Sequence, residues 1–275
     1  MKQKFNQSNI IFDIVHINKT LLYNKKYLFD NKPISKFFGT HIREHDDYYS
    51  QLNKNGYRCD NFINNHDGLH LLFSGCSVSY GSGLEINEVW TNKVFTAVNK
   101  IKSCSGYFNL SFPGTGLINQ IVDIFKYCSL YSKPNYIIIN IPDLTRFYYY
   151  NDEYSEIGDA FYNLKDNNYS IIQLLYYQYY LMLYEYCKSN NIRLITFTWA
   201  ETQLESEIFK KCNISNFDTF YYFNKKNMEN FILEYVKNNK NDKYALKARD
   251  KDHFGTAYHE YWAQQIISII ISDIV

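Results

Sequence analysis

Two short stretches of this sequence hold residues whose types and spacing could do chemistry. The first is Leu71-Leu72-Phe73-Ser74-Gly75-Cys76-Ser77-Val78-Ser79-Tyr80-Gly81-Ser82-Gly83-Leu84. Its apolar start reads as a buried strand that breaks at Gly75, and a helical pattern begins at Glu85. A strand, a glycine turn and a small hydroxyl residue ahead of a helix put that residue at the carboxyl edge of a parallel sheet. Ligands and reacting groups collect at that edge in open α/β folds. Ser77 is the residue so presented. The second stretch is Asp250-Lys251-Asp252-His253-Phe254-Gly255, just ahead of a final helix. A serine hydroxyl is a weak nucleophile near neutral pH and needs a neighbouring base that a third group orients. His253 has the chemistry of that base. Asp250 can reach back to the imidazole from the same turn, whereas Asp252 would have to fold across its own backbone. Read alone, Asp250 and Asp252 are equally well helix N-terminal residues favoured by the helix dipole, with His253 an incidental neighbour.

The wording of both stretches resembles the SGNH (GDSL-like) hydrolases. In that family a strand ends in Gly-Asp-Ser-x-[Ser/Thr]-x-Gly, and here the chain reads Gly75-Cys76-Ser77-Val78-Ser79-Tyr80-Gly81, with Cys76 at the aspartate position. The family's last block, Asp-x-x-His, matches Asp250 to His253. The resemblance implies Ser77 as nucleophile, His253 as base and Asp250 as its orienter. It also implies an oxyanion hole built from the Ser77 amide, a glycine amide of a second block and an asparagine side chain of a third. Asn109-Leu110-Ser111-Phe112-Pro113-Gly114-Thr115-Gly116 stands where the second block belongs and offers Gly114, with Gly116 as a rival. A plain strand-to-helix turn explains the same residues. The third block, Gly-x-Asn-Asp, has no clean counterpart in Asn140-Ile141-Pro142-Asp143-Leu144-Thr145-Arg146. Aligning Asp143 with the final aspartate puts Pro142 where asparagine belongs, and Asn140 fills the role only if the strand ends a turn earlier. Arg146 is a candidate for binding substrate charge, or makes a salt bridge.

The elements that must position these residues alternate strand and helix, the mark of a parallel sheet. After the strand at 70–74, Val89, Trp90, Val94, Phe95 and Val98 recur at helical spacing. A short strand follows at 106–110, then a helix with Ile118, Ile121, Val122 and Phe125 on its apolar face. Tyr136 to Ile141, bounded by Pro134 and Pro142, is a continuous apolar run and the expected central strand. A long helix is expected near 170–188 with Ile171, Leu174, Leu175, Leu181 and Met182 on one side. A strand at 192–198, a helix near 203–211, a fifth strand at 217–223 and a helix from 255 to 272 complete the pattern. The expected fold is α/β, a three-layer α/β/α sandwich with a mostly parallel five-stranded sheet, SGNH/flavodoxin-like.

Residues 1–65 lack a clear period and form an expected N-terminal extension, a hairpin or flap packed on the core, with strands at Ile10–Ile17 and Thr20–Phe29. Residues 66–275 form the SGNH-like domain, interrupted by an excursion at about 143–169 that is either a cleft lining or a plain inserted loop. The charged stretch His41 to Asp47 lacks metal-ligand spacing and reads as a solvated loop.

Composition narrows the function. With 275 residues and 46% hydrophobic residues the chain can bury a sizeable core. A net charge of +1, with no basic block, gives no electrostatic footprint for nucleic acid. No apolar run is long enough to cross a membrane, and Met1 to Gln7 leads into no signal-peptide core. The six cysteines are scattered without a Cys-x-x-Cys pair, which fits reduced thiols and a cytoplasmic setting. Tyrosine, asparagine, lysine and isoleucine abound, as an AT-rich genome produces, and a viral origin is compatible with that. The resemblance implies an ester-cleaving serine hydrolase working through an acyl-enzyme on a small-molecule or glycan ester, with no cofactor. Tyrosines near the cleft suit an O-acetyl esterase acting on a carbohydrate. Acyl transfer uses the same three residues. The alternative is a non-enzymatic binding or structural module of a viral or multi-subunit assembly.

Overall fold

The computed structural model of the chain describes residues 52–53, 55–64, 67–142, 169–199, 210 and 213–274. The expected strands at 10–17 and 20–29, the His41–Asp47 stretch, Asp143, Arg146 and the rest of the excursion to 168 lie outside these residues. So does the helix expected near 203–211, apart from Lys210.

Four strands form one parallel sheet among the described residues: β1 (Leu71–Ser74), β2 (Phe108–Asn109), β3 (Tyr136–Ile141) and β4 (Arg193–Thr198), in the order β2-β1-β3-β4. Leu72 pairs with Phe108 and Ile137, and Ile137 with Leu194. This is the strand order of doubly wound flavodoxin-like sheets, whose ligands sit at the carboxyl edge. The expected fifth strand at 217–223 is present as a single parallel bridge between Thr196 and Phe220. The Thr196 amide donates to Thr219 and the Tyr221 amide to Thr196, and the pairing goes no further as a ladder.

Six helices accompany the sheet among the described residues: α1 (Ser77–Tyr80), α2 (Trp90–Ile101), α3 (Leu117–Leu130), α4 (Tyr169–Ser189), α5 (Lys225–Asn238) and α6 (Thr256–Ile274). On one face of the sheet Leu71, Phe73, Ile138, Ile195 and Phe197 pack with Trp90, Val94 and Val98 of α2 and Trp262, Ile266 and Ile270 of α6. On the other face Leu72, Ile137, Ile139 and Leu194 meet Leu117, Ile121 and Ile124 of α3 and the buried stripe of α4. Burying both faces is why β3 is apolar without alternation. The chain is therefore an α/β three-layer sandwich, and no helix among the described residues is long and apolar enough to cross a membrane.

The buried stripe of α4 differs from the expected one. Tyr176, Tyr180, Leu183 and Cys187 are buried at helical spacing, and Leu174 is exposed. Tyrosine can serve here because its hydroxyl finds partners: Tyr180 Oη lies 2.7 Å from Thr196 Oγ1 and 2.9 Å from Thr219 Oγ1. Part of the expected N-terminal extension is integral to the core. Tyr57 and Phe62 join the α3–α4 side, and Asp60 bonds the backbone of Tyr107 through both its amide (3.0 Å) and its carboxylate (2.8 Å).

His259 of α6 is fully buried and caps α2 from outside, its Nδ1 accepting the Trp90 amide at 3.1 Å. Burial, with the nearby charges of Lys93, His253 and Arg58, pushes its imidazole from 6.5 down to about 3. The unfolded chain therefore binds one more proton than the folded chain between pH 6.5 and about 3. Stability that is fully present above 6.5 is lost as the pH falls through this window, at up to about 1.4 kcal/mol per pH unit. In a His259→Gln variant the urea midpoint is expected to drop less steeply between pH ~7 and pH ~4.5 than in the wild type. Equal slopes would show that His259 is not the group responsible.

Candidate active site

The carboxyl edge of β1 carries the first stretch in a tight form. Gly75 leaves the strand, Cys76 caps α1, and Ser77 is its first residue. A Cβ on Gly75 would stand 2.2 Å from Ser79 Oγ, so the turn closes over Ser79 only because residue 75 has no side chain. Ser79 Oγ is held in turn by Trp90 Nε1 at 3.2 Å. The helix ends after one turn, with the amides of Gly81 and Ser82 both donating to the Ser77 carbonyl at 2.9 and 3.0 Å.

The second-block loop is pinned to the same turn. The Phe112 amide (3.2 Å) and Thr115 Oγ1 (3.1 Å) both donate to the Gly75 carbonyl. Asn109 anchors its start, donating to the Ser79 carbonyl at 3.0 Å and accepting the Ser111 amide at 3.0 Å. Gly114, with φ of 79°, sits in the turn so formed, and Gly116 caps α3.

Asp250 and His253 form a closed unit. Asp250 Oδ1 accepts the amides of Asp252 and His253, both at 3.1 Å, and Oδ2 lies 2.6 Å from His253 Nδ1. Burial by itself raises the Asp250 carboxyl, but the His253 hydrogen bond and charge and the two amides outweigh it and leave it below its ordinary 3.8. An ionised carboxylate on Nδ1 fixes the tautomer whose Nε2 can take a proton. Of the two aspartates it is Asp250, not Asp252, that holds the imidazole. Lys251 between them adopts φ of 63°, a conformation that costs a non-glycine residue energy.

The two stretches meet at Gly83. Its carbonyl accepts the Arg249 amide at 3.1 Å and the Arg249 guanidinium at 3.3 Å. A Cβ on Gly83 would lie 2.9 Å from Asp250 Cγ, and its φ is 74°. The same guanidinium forks onto Glu88 at 2.7 and 3.3 Å and stacks over the Tyr244 ring. Sequence reading missed Arg249, Glu88 and Arg58, whose roles depend on loops packed against one another rather than on any local pattern.

Ser77 is 5% exposed, and the His253 and Asp250 side chains 28% and 10%. Among the described residues the Ser77 hydroxyl and His253 Nε2 make no hydrogen bond. Asn140 is fully buried within β3, which runs on to Ile141 instead of ending a turn earlier. Its Oδ1 accepts the Trp199 amide at 3.1 Å, while its Nδ2 has no partner among the described residues. No cluster of potential metal ligands occurs among the described residues.

No protein-family model matches the sequence, and neither does a curated protein. Solved structures align with the chain at low identity. One is a psychrotrophic esterase from Pseudoalteromonas sp. inhibited by monoethylphosphonate, at 14% identity and a TM-score of 0.44, covering 74% of this chain and 97% of its own. Another is an acetyl xylan esterase from the rumen bacterium Butyrivibrio proteoclasticus, at 13% identity and 0.45, covering 75% and 64%. A further acetyl xylan esterase aligns at 14% identity and 0.42, covering 73% and 98%. At these identities and TM-scores the alignments say nothing of chemistry, which is read from the residues described above.

Gly83→Ala is expected to lower stability by about 1–3 kcal/mol, from the disfavoured backbone conformation together with the clash on Asp250. It should also remove the downfield proton resonance of the His253 Nδ1–H bond. A variant with wild-type stability and an unchanged resonance would show that the contact is not confining.

Proposed function

We propose that the protein is a serine esterase of SGNH type, with Ser77 as nucleophile, His253 as base and Asp250 as orienter. The observation that supports this most is the docking of the Asp250–His253 unit, through Gly83 and Arg249, onto the loop that closes the Ser77 helix. Ser77 Oγ would attack the acyl carbon while its proton passes to His253 Nε2. The resulting oxyanion would be met by the Ser77 and Gly114 amides; Asn140, buried within β3 instead of standing beyond its end, does not meet the condition for the third donor. Collapse breaks the ester bond, and the leaving alkoxide takes the proton from His253. A water molecule, deprotonated by His253, then attacks the acyl group on Ser77, and the acid departs as the serine recovers its proton. The step needs no cofactor. The proposed substrates are O-acetyl esters of carbohydrates, on the ground that the half-buried rings of Phe254, next to His253, and Trp199, 5.5 Å apart, could stack on a sugar. Transfer of the acyl group to a sugar hydroxyl in place of water uses the same residues.

Hydrolysis of a short-chain aryl acetate tests this reading directly. Ser77→Ala and His253→Ala are each expected to lower kcat by at least about 10³-fold with the fold intact, and Asp250→Asn by about 10²–10⁴-fold. Equal background rates in wild type and variants, together with no labelling of Ser77 by a serine-reactive phosphonate, would overturn it in favour of a non-catalytic binding module.

A further inference from the structure

Arg58 stands before the first strand and outside every sequence block, yet it is 5% exposed and its guanidinium reaches three carbonyls at the candidate site. Its Nη1 donates to the carbonyls of Tyr80 (3.2 Å) and Gly81 (2.9 Å), and its Nη2 to that of Leu84 (2.7 Å). The same group lies over the Tyr80 ring, 5.6 Å from its centre. Tyr80 and Gly81 are the C-terminal carbonyls of α1, the negative end of the helix that begins at Ser77. Arg58 itself is delivered by an anchored turn, with Tyr57 in the core and Asp60 bonded to Tyr107.

We propose that Arg58 is a positioning residue: by binding three carbonyls of the 80–84 loop it sets the placement of Ser77 relative to the Asp250–His253 unit. The loop it holds is the part shared by both halves of the site. Gly81 and Ser82 fasten to the Ser77 carbonyl, and Gly83 receives Arg249 and abuts Asp250. Arg58 and Arg249 grip this loop through different carbonyls, so neither replaces the other. A planar fork with several fixed donors suits three converging carbonyls, and a lysine ammonium on a flexible stem does not reproduce it. Arg58 touches neither Ser77 nor His253 in these contacts, so its effect on the reaction runs through the loop.

This inference rests on the proposed esterase reading for its kinetic readout, and amide exchange tests it separately. In Arg58→Lys, kcat for an aryl acetate is expected to fall about 10–100-fold while KM stays within about twofold. Millimolar guanidinium should restore part of the kcat of Arg58→Ala without raising that of the wild type. Amide exchange should quicken at residues 77–84 and 249–253 and stay unchanged in β3. Arg193→Lys, which loosens an exposed pair with Asp273, is the control and is expected to leave all three readouts alone. An unchanged kcat in an active enzyme, a rise in KM alone, or faster exchange spread evenly over the fold would each overturn the role of Arg58. Should the wild type itself lack Ser77-dependent activity, the esterase reading fails. Exchange confined to the two segments then still upholds the clamp, and its absence ends it.

Discussion

One carbonyl, that of Gly83, ties the carboxyl edge of this sheet together. It accepts two donors from Arg249, and the absence of a side chain at Gly83 lets Asp250 approach. A serine at the end of β1 and a histidine ahead of α6 belong to distant parts of the chain, and the sheet alone does not bring them into register. The loop that follows the serine turn has its carbonyls bound from two sides, by Arg58 and by Arg249, and Asp250 abuts it at Gly83. Buried carbonyls of a short loop need partners, and here charged side chains supply them, with donors stronger than neutral ones.

Behind this loop runs a series of buried polar groups that fixes α1 against the rest of the fold. Asn109 holds the Ser79 carbonyl, Trp90 holds the Ser79 hydroxyl, and His259 holds the Trp90 amide. Each pairing joins a different element, from β2 to α1, from α1 to α2 and from α2 to α6. Satisfied buried networks of this kind cost little in solvation and leave few alternative packings. The turn that presents Ser77 is thus backed by directional contacts in addition to apolar packing.

How much of this was legible in the sequence depended on whether the cause was local. The run Tyr136–Ile141, flanked by prolines, reads as a strand and is one to the residue. The turn from Gly75 to Ser77 and the pairing of Asp250 with His253 follow from short-range geometry, and both are present. The stretch 217–223 has the composition of a strand but pairs only at Phe220, because pairing length depends on the neighbouring edge. Helix α5 went unread although Met228, Phe231, Ile232, Tyr235 and Val236 recur at helical spacing, and Met228 and Phe231 pack against the core there. The α4 stripe was misjudged because leucines were taken as its core, when hydroxyl partners on β4 and the following loop let tyrosines fill it. Arg58 was beyond reach altogether. Nothing in Gly56-Tyr57-Arg58-Cys59-Asp60 shows that three carbonyls more than twenty residues away will receive it.

The bond between Gly83 and Arg249 joins residues 166 apart in sequence. Contacts of such separation close late in folding, after local helices and neighbouring strands have formed. A chain growing on the ribosome exposes its serine turn long before the histidine turn exists. A chain that ends before Asp250 therefore carries the serine turn without His253.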